Sequence, residues 1–290
     1  MPSHAQPPKM EALLRAWPAC PTQNLRLEPC LGQHGQAKVW AIEQSGEVLA
    51  YVKKHVSLRS FEREHQCYRT LASASLAHRP HAMAHAQLLV ACEVEQLLIL
   101  SPVAGERIGD GELGRCLSMA AVWLAQLHAL PFVDPDPLPL TEALAERVSW
   151  MLSKLPTTQA TLRQALWDAE TALSRVGNLE RVLCHRDFAP PNWLLDPSGS
   201  SIAVLDFEHA QGDHWCVDLC RLDAIFALQA GAEAQFLMCY RGRLMDEREQ
   251  QIYRLCRLLD AAQTWLWAQR QGERAFLRRA KLKMQWLGLG

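Results

Sequence analysis

The sequence predicts an α+β fold of two lobes, a small antiparallel β lobe followed by a larger, mostly helical lobe. Three segments of strand character, one helical stretch and two more strands occupy roughly the first hundred residues. Beyond them, apolar residues recur at the three- and four-residue steps of buried helices. We expect an N-terminal extension over 1–24, the β lobe over 25–101 and the helical lobe over 102–290.

Turn residues and apolar runs mark the elements of the β lobe. The glycines in 32–35 and the pair Ser45-Gly46 separate the first three strands. A helix is expected to begin near Ser57 and to run to Leu71. The predicted strands are Leu25–Leu31, Ala37–Ile42, Glu47–Lys53, Leu88–Ala91 and Leu97–Leu100.

Apolar stripes define the helical lobe. A stripe from Leu113 to Leu127 predicts a buried helix that ends at Leu130-Pro131. Asp196–Gly199 is a good hairpin turn between short apolar runs. Further helical stretches are expected at Thr141–Leu155, at Thr158–Val176 and from about Val217 onward.

Composition and charge exclude several classes of protein. The formal net charge of −1 argues against a nucleic-acid partner, because duplex-binding domains are usually strongly basic. No apolar run approaches the roughly 20 residues that span a bilayer, and Met1–Met10 lacks the apolar stretch of a signal peptide. We therefore expect a cytoplasmic protein with no membrane span.

The cysteines are expected to be reduced core residues. There are ten, scattered and without a CxxC pair. His209, His214, Cys216 and Cys220 could ligate a metal, but structural zinc sites have tighter paired spacings. We therefore expect no zinc site.

Three polar residues lie at a spacing that suits phosphoryl transfer. Asp187 is followed five positions later by Asn192, and Asp206 ends an apolar run. Phosphoryl transfer needs a group that orients and deprotonates the attacking hydroxyl, and oxygen ligands for Mg²⁺. Asp187 suits the first task, and Asn192 and Asp206 suit the second.

His185-Arg186-Asp187, together with Asn192 and Asp206, resembles the catalytic and metal-binding loops of the aminoglycoside phosphotransferase and choline kinase superfamily. These enzymes are relatives of the protein kinases, whose catalytic-loop signature has the same Asp-to-Asn spacing. The resemblance implies a protein-kinase-like fold, ATP as donor and Mg²⁺ as the metal. It also implies a small-molecule hydroxyl acceptor and Asp187 as the catalytic base.

The same segment departs from the family pattern in places. Arg186 stands where small-molecule kinases usually carry Gly, and Pro191 stands where many have Gly. Phe207-Glu208 is similar to choline kinases rather than to protein kinases. Asp218 resembles the family's structural Asp, which supports the catalytic loop.

The first half of the chain resembles the family's ATP-binding lobe. Lys53 closes the third strand, as does the family's phosphate-binding lysine, which pairs with a helix glutamate. Glu64 is the preferred partner and Glu62 the alternative. A lysine that merely ends a surface strand is the competing interpretation of Lys53. The resemblance implies that the Ser101 carbonyl and the Val103 N–H bind the adenine edge.

Three further alternatives accompany this hypothesis. A catalytically inactive pseudokinase would lack the lysine, the base or a metal ligand, and this chain has them all. Gly231–Gly290 carries eleven Lys/Arg and six Asp/Glu, a formal charge of +5, and it either binds nucleic acid or presents solvated helix faces. The 32–35 turn either approaches phosphates or is an ordinary hairpin turn.

The basic final segment bears on the acceptor. Sites for polycationic aminoglycosides should be lined by carboxylates, which attract ammonium groups. We therefore expect a neutral or anionic hydroxylated metabolite, a sugar or vitamin-like alcohol, ahead of an antibiotic and then choline. Trp193 and Trp215 are expected to offer a stacking wall for a ring-shaped acceptor.

Overall fold

The computed structural model describes residues 17, 24–30, 37–75, 83–136, 138–173 and 175–289. Its contacts divide the chain into two compact units. Unit 1 lies within Met1–Asp110 and Pro190–Ala210, and unit 2 lies within Gly111–Ala189 and Gln211–Gly290.

Strands dominate unit 1 and helices dominate unit 2, which confirms the predicted α+β class. The described strands are β1 (Leu25–Pro29), β2 (Lys38–Gln44), β3 (Glu47–Lys54), β4 (Ala84–His85), β5 (Leu88–Cys92), β6 (Leu97–Leu100), β7 (Glu106–Arg107), β8 (Val182–Cys184), β9 (Trp193–Leu195), β10 (Ile202–Val204) and β11 (Gln211–Asp213). The described α-helices are α1 (Leu58–Ser75), α2 (Leu113–His128), α3 (Leu140–Lys154), α4 (Ala160–Leu173), α5 (Cys216–Leu219), α6 (Asp223–Leu228), α7 (Ala232–Arg241), α8 (Glu247–Gln271) and α9 (Arg274–Trp286).

The main sheet of unit 1 is antiparallel, with the strand order β1-β2-β3-β6-β5. Ser45 and Gly46 connect β2 to β3 with positive φ at both residues (53° and 89°), which is the turn geometry that matches strand twist. Helix α1 packs against β5 and β6. Ser57 caps α1, because its Oγ accepts the Ser60 N–H at 3.1 Å. The apolar core of the sheet is built from Ile42, Ala50, Val52, Leu97 and Ile99.

A second sheet in unit 1 has the order β4-β10-β9-β7. The β9–β10 hairpin turns at the predicted Asp196–Gly199, where the Gly199 N–H donates to the Asp196 carbonyl at 2.7 Å. The two-residue strands β4 and β7 were not predicted from the sequence, because so short a segment shows no periodicity.

Helix α8 organises unit 2. It is 25 residues long, and it packs against α3, α4, α5 and α9. Asp246 begins it with a capping box, in which Asp246 and Glu249 exchange side-chain-to-backbone hydrogen bonds of 2.9 and 3.0 Å. Helix α2 packs on α7 and on β8, which pairs with β11. In the part of the chain that is described, no helix combines the length and the apolar character needed to cross a bilayer.

Gly105 offers a test of the second sheet. Its φ is 143°, which L side chains rarely adopt, and an added Cβ would lie 2.8 Å from the Leu195 carbonyl oxygen. We expect Gly105→Ala to lower the free energy of unfolding by about 2–4 kcal/mol, because strain and overlap add. Gly46→Ala is the control, since its φ is also positive (89°) but the space around it is open. Chemical denaturation of both variants measures this, and equal losses would contradict the overlap.

Candidate active site

Lys53, the penultimate residue of β3, lies in the interior of unit 1 and is only 5% exposed. Its Nζ lies 2.7 Å from Glu64 Oε2 and 2.6 Å from Asp206 Oδ1. A third carboxylate, Glu208 Oε2, lies 3.6 Å away. Lys53 is therefore not a solvated strand end.

The carboxylates keep this lysine charged. Burial by itself lowers the pKa of Lys53, but the attraction of Glu64, Asp206 and Glu208 outweighs burial and raises the pKa above its ordinary value. Burial raises the pKa of Glu208, against the opposing effect of Lys53. The cluster is thus a buried cation held by three carboxylates. One of them, Glu208, ionises less readily than an ordinary glutamate, because its pKa is raised.

Helix α1 brings Glu64, not Glu62, to the lysine. Glu64 is fully buried and Glu62 is exposed. Glu64 Oε1 also accepts the Phe207 N–H at 3.3 Å, and Glu64 Oε2 lies 3.1 Å from Nε2 of the buried His55. Glu64 thus connects α1 with β3 and with the segment that follows β10. The sequence analysis missed His55, although its position two residues after Lys53 was a signal.

The β9–β10 hairpin places Asn192 and Asp206 at the same end. Asn192 precedes β9, and its carbonyl accepts the Leu205 N–H at 2.9 Å, one residue before Asp206. Asp206 has a φ of 67°, in the left-handed region that non-glycine residues seldom occupy. A carboxylate and an amide oxygen at one hairpin end form a donor set that suits Mg²⁺.

In unit 2, Asp218 of α5 holds the segment that follows β8. It is fully buried, and its carboxylate accepts the backbone N–H groups of His185 (2.9 Å) and Arg186 (2.5 Å). His128 Nε2 lies 3.0 Å from the same carboxylate. Burial alone would raise the pKa of Asp218, but the hydrogen bond and charge of His128 and His185 lower it overall. Asp218 therefore supports the loop that leads to Asp187, as the sequence analysis expected, through its hydrogen bonds with the backbone of His185 and Arg186.

The departure at Arg186 has a backbone explanation. Its φ is 65°, where glycine avoids the cost that a Cβ imposes. Arg186 is held there by its own contacts. Its Nε lies 3.4 Å from Asp213 Oδ2, and its carbonyl accepts Arg221 Nε at 3.2 Å.

Asp187, the candidate base, follows directly. Its side chain is 34% exposed, and its Oδ1 lies 3.1 Å from the Arg221 guanidinium. The sequence analysis missed Arg221. Its position three residues after Asp218, just beyond the end of α5, was the available signal.

The candidate adenine-binding segment follows β6 without regular structure. Two hydrogen bonds join Ser101 to Gln87. The Ser101 N–H donates to the Gln87 carbonyl at 2.8 Å, and the Gln87 N–H donates to Ser101 Oγ at 2.9 Å. Val103 is partly exposed two residues later. These contacts fix the start of the segment, and the adenine-binding role stays a prediction.

Trp193 and Trp215 were expected to form a stacking wall for the acceptor. The stacking wall is wrong for Trp193, which is fully buried. Trp215 already stacks on Tyr240 with ring centroids 5.4 Å apart, and the Arg241 guanidinium lies 4.6 Å from its centroid. The turn at 32–35 lies outside the described residues.

Zinc was not expected at His209, His214, Cys216 and Cys220. Among the described residues, two groups bring potential metal-ligating atoms together, and neither is that set. They are His55 with Glu64 and Glu208, and His128 with Cys184 and Asp218.

Comparison with known proteins defines the class. The model of the phosphotransferase enzyme family (APH) matches residues 26–238. The choline kinase LicA from Streptococcus pneumoniae is 14% identical, with a TM-score of 0.67 over 96% of this chain and 98% of that one. A choline/ethanolamine kinase family protein from Mesorhizobium loti is 17% identical, with a TM-score of 0.68 over 96% and 98%. A thermostable mutant of the aminoglycoside phosphotransferase APH(4)-Ia, in a ternary complex with ADP and hygromycin B, is 15% identical, with a TM-score of 0.70 over 97% and 98%.

The fold is therefore that of the kinase-like phosphotransferases, as the sequence predicted. No curated protein is significantly similar in sequence to the chain. The family model matches well over half of the chain, so the chain belongs to the phosphotransferase enzyme family. It is a small-molecule kinase.

The geometry at Lys53 predicts different effects for its two candidate glutamates. Glu64→Gln should lower kcat/KM for ATP about 10- to 100-fold, because the lysine loses a charged partner that holds it in place. Glu62→Gln is the matched control on the same helix and should stay within about twofold, because exposed charges contribute little. Steady-state kinetics in ATP measures both, and equal effects would contradict the pairing.

Proposed function

We propose that this kinase transfers the γ-phosphate of ATP, with Mg²⁺, to a hydroxyl of a neutral or anionic small metabolite. A sugar or a vitamin-like alcohol is the preferred acceptor class. We also propose that the reaction takes place in the cytoplasm.

The buried Lys53–Glu64 ion pair of 2.7 Å carries this proposal. In kinases a strand lysine holds the phosphates of ATP and a helix glutamate orients that lysine. A buried ammonium group surrounded by carboxylates is costly to assemble, and such groups cluster at functional sites.

Each of the other candidate residues has a proposed task. Asp187 orients the acceptor hydroxyl and takes its proton, and Lys53 holds the α- and β-phosphates. Asn192 and Asp206 would hold Mg²⁺, which would neutralise negative charge on the transferring phosphate. The Ser101 carbonyl and the Val103 N–H bind the adenine edge.

The acceptor class rests on charge near the proposed base. Most of the basic residues in the last sixty positions are exposed, so they do not describe the site. Arg221 is different, because its guanidinium contacts Asp187 at 3.1 Å. A cation at this position disfavours polycationic acceptors. The names of the similar structures support an aminoglycoside-type antibiotic or choline as the alternatives.

Substitution of the two aspartates should give separable defects. Asp187→Asn should lower kcat about 10²- to 10⁴-fold and keep ATP affinity, because only the base is lost. Asp206→Ala should abolish Mg²⁺-dependent ATP affinity, because a metal ligand is lost. Asp168→Asn, an exposed carboxylate on α4, is the control. Turnover and nucleotide titration distinguish these outcomes, and normal turnover in Asp187→Asn would refute the assignment of the base.

The acceptor class is tested by a coupled assay of ADP release across hydroxylated compounds. We expect sugars and vitamin-like alcohols to raise ADP release above the rate with water alone. Aminoglycosides and choline should give weaker saturation. Saturation by an aminoglycoside at micromolar concentration would show that the charge argument is wrong.

A further inference from the structure

The Arg221 guanidinium is held on three sides within unit 2. One terminal nitrogen contacts Asp187 Oδ1 at 3.1 Å, and the other donates to Asp260 Oδ1 at 3.3 Å. Nε donates to the Arg186 carbonyl at 3.2 Å. A planar guanidinium bound along all of its edges has little freedom to rotate. Its contact with Asp187 is therefore set by Asp260 and Arg186.

Asp260 is in turn fixed by a lysine of the last described helix. Lys283 of α9 is only 3% exposed, and its Nζ donates to Asp260 Oδ2 and to the Cys220 carbonyl, the latter at 3.1 Å. Burial raises the pKa of Asp260, but Lys283 and Arg221 lower it overall. Asp260 therefore stays ionised between two cations.

The four groups form a chain of alternating charge from Lys283 through Asp260 and Arg221 to Asp187. Two cations balance two carboxylates, so no member carries an uncompensated charge. Lys281, two positions before Lys283 on the same helix, is exposed. The inward direction is thus specific to Lys283.

We propose that Arg221 is a positioning residue for Asp187, and that Lys283 acts on the base through Asp260 and Arg221. This rests on the proposed function, in which Asp187 is the catalytic base. Arg221 restrains the carboxylate rotamer of Asp187. Lys283 of α9 supplies the positive charge that fixes Asp260, and Asp260 in turn holds Arg221 in place. Helix α9 therefore contributes to turnover without contacting the reactants.

A purely structural role is the competing explanation, and unit 2 offers a matched control for it. Arg257 makes a similar ion pair with the buried Asp223, at 3.0 Å from Nε to Oδ2. Asp223 also accepts the Tyr253 hydroxyl at 2.9 Å. Loss of Arg257 should therefore reduce stability while leaving the carboxylate of Asp187 restrained.

The experiment compares Arg221→Met, Arg221→Lys, Lys283→Met, Lys281→Met and Arg257→Met in the full chain. The measurements are Mg-ATP turnover with water as the acceptor, ATP affinity by titration and thermal unfolding. We expect Arg221→Met to lower kcat about 100-fold and Lys283→Met about 5- to 10-fold, with ATP affinity unchanged. Arg221→Lys should recover part of kcat, and Lys281→Met should match the wild type.

Two comparisons make the outcome decisive. Arg257→Met should lose as much thermal stability as Arg221→Met, but should keep kcat within about threefold. The Arg221→Met and Lys283→Met losses in kcat should be less than additive when combined, because they act through one contact. Kcat losses that follow thermal stability in all variants would overturn the proposal. If turnover depends on Asp187 but not on Arg221, the positioning role of Arg221 is refuted and the proposed function stands. If turnover does not depend on Asp187, the proposed function is refuted as well.

Discussion

The charge of a buried lysine constrains the arrangement of unit 1. An ammonium group taken out of water stays ionised only if carboxylates surround it. Lys53 of β3 is surrounded by Glu64 of α1 and by Asp206 and Glu208, which follow β10. The helix and the hairpin must therefore meet the sheet at one place. The contact that orders unit 1 also holds the cation to which we assign phosphate binding.

Backbone strain marks the loops that carry the candidate site. Arg186 and Asp206 have φ values of 65° and 67°, and each costs about 1–2 kcal/mol relative to an unstrained residue. Such conformations persist where surrounding contacts over-determine them. At Arg186 the contacts come from Asp218, Asp213 and Arg221. At Asp206 they come from Lys53. Strain at both loops supports a functional reason for keeping them.

Charge in the last sixty residues has a different meaning from the one that composition suggests. The segment is basic as a whole, yet most of its cations are exposed. Lys283 instead lies in the interior and pairs with Asp260. Its influence on Asp187 passes through Arg221, which lies outside that segment. Net charge over a stretch of sequence therefore describes solubility better than it describes a binding site.

The sequence by itself determined the family, the α+β class and most strand and helix positions, and it proposed the candidate set Lys53, Asp187, Asn192 and Asp206. The element positions follow from periodicity, and the family and the candidate residues follow from motifs that resemble those of the family; both are local properties of the chain. Only the tertiary structure decided between Glu64 and Glu62, and only it brought Arg221 to Asp187. Burial and ion pairing distinguish two glutamates on different faces of one helix, and they join residues that are far apart in sequence. No local pattern encodes which of these residues will meet.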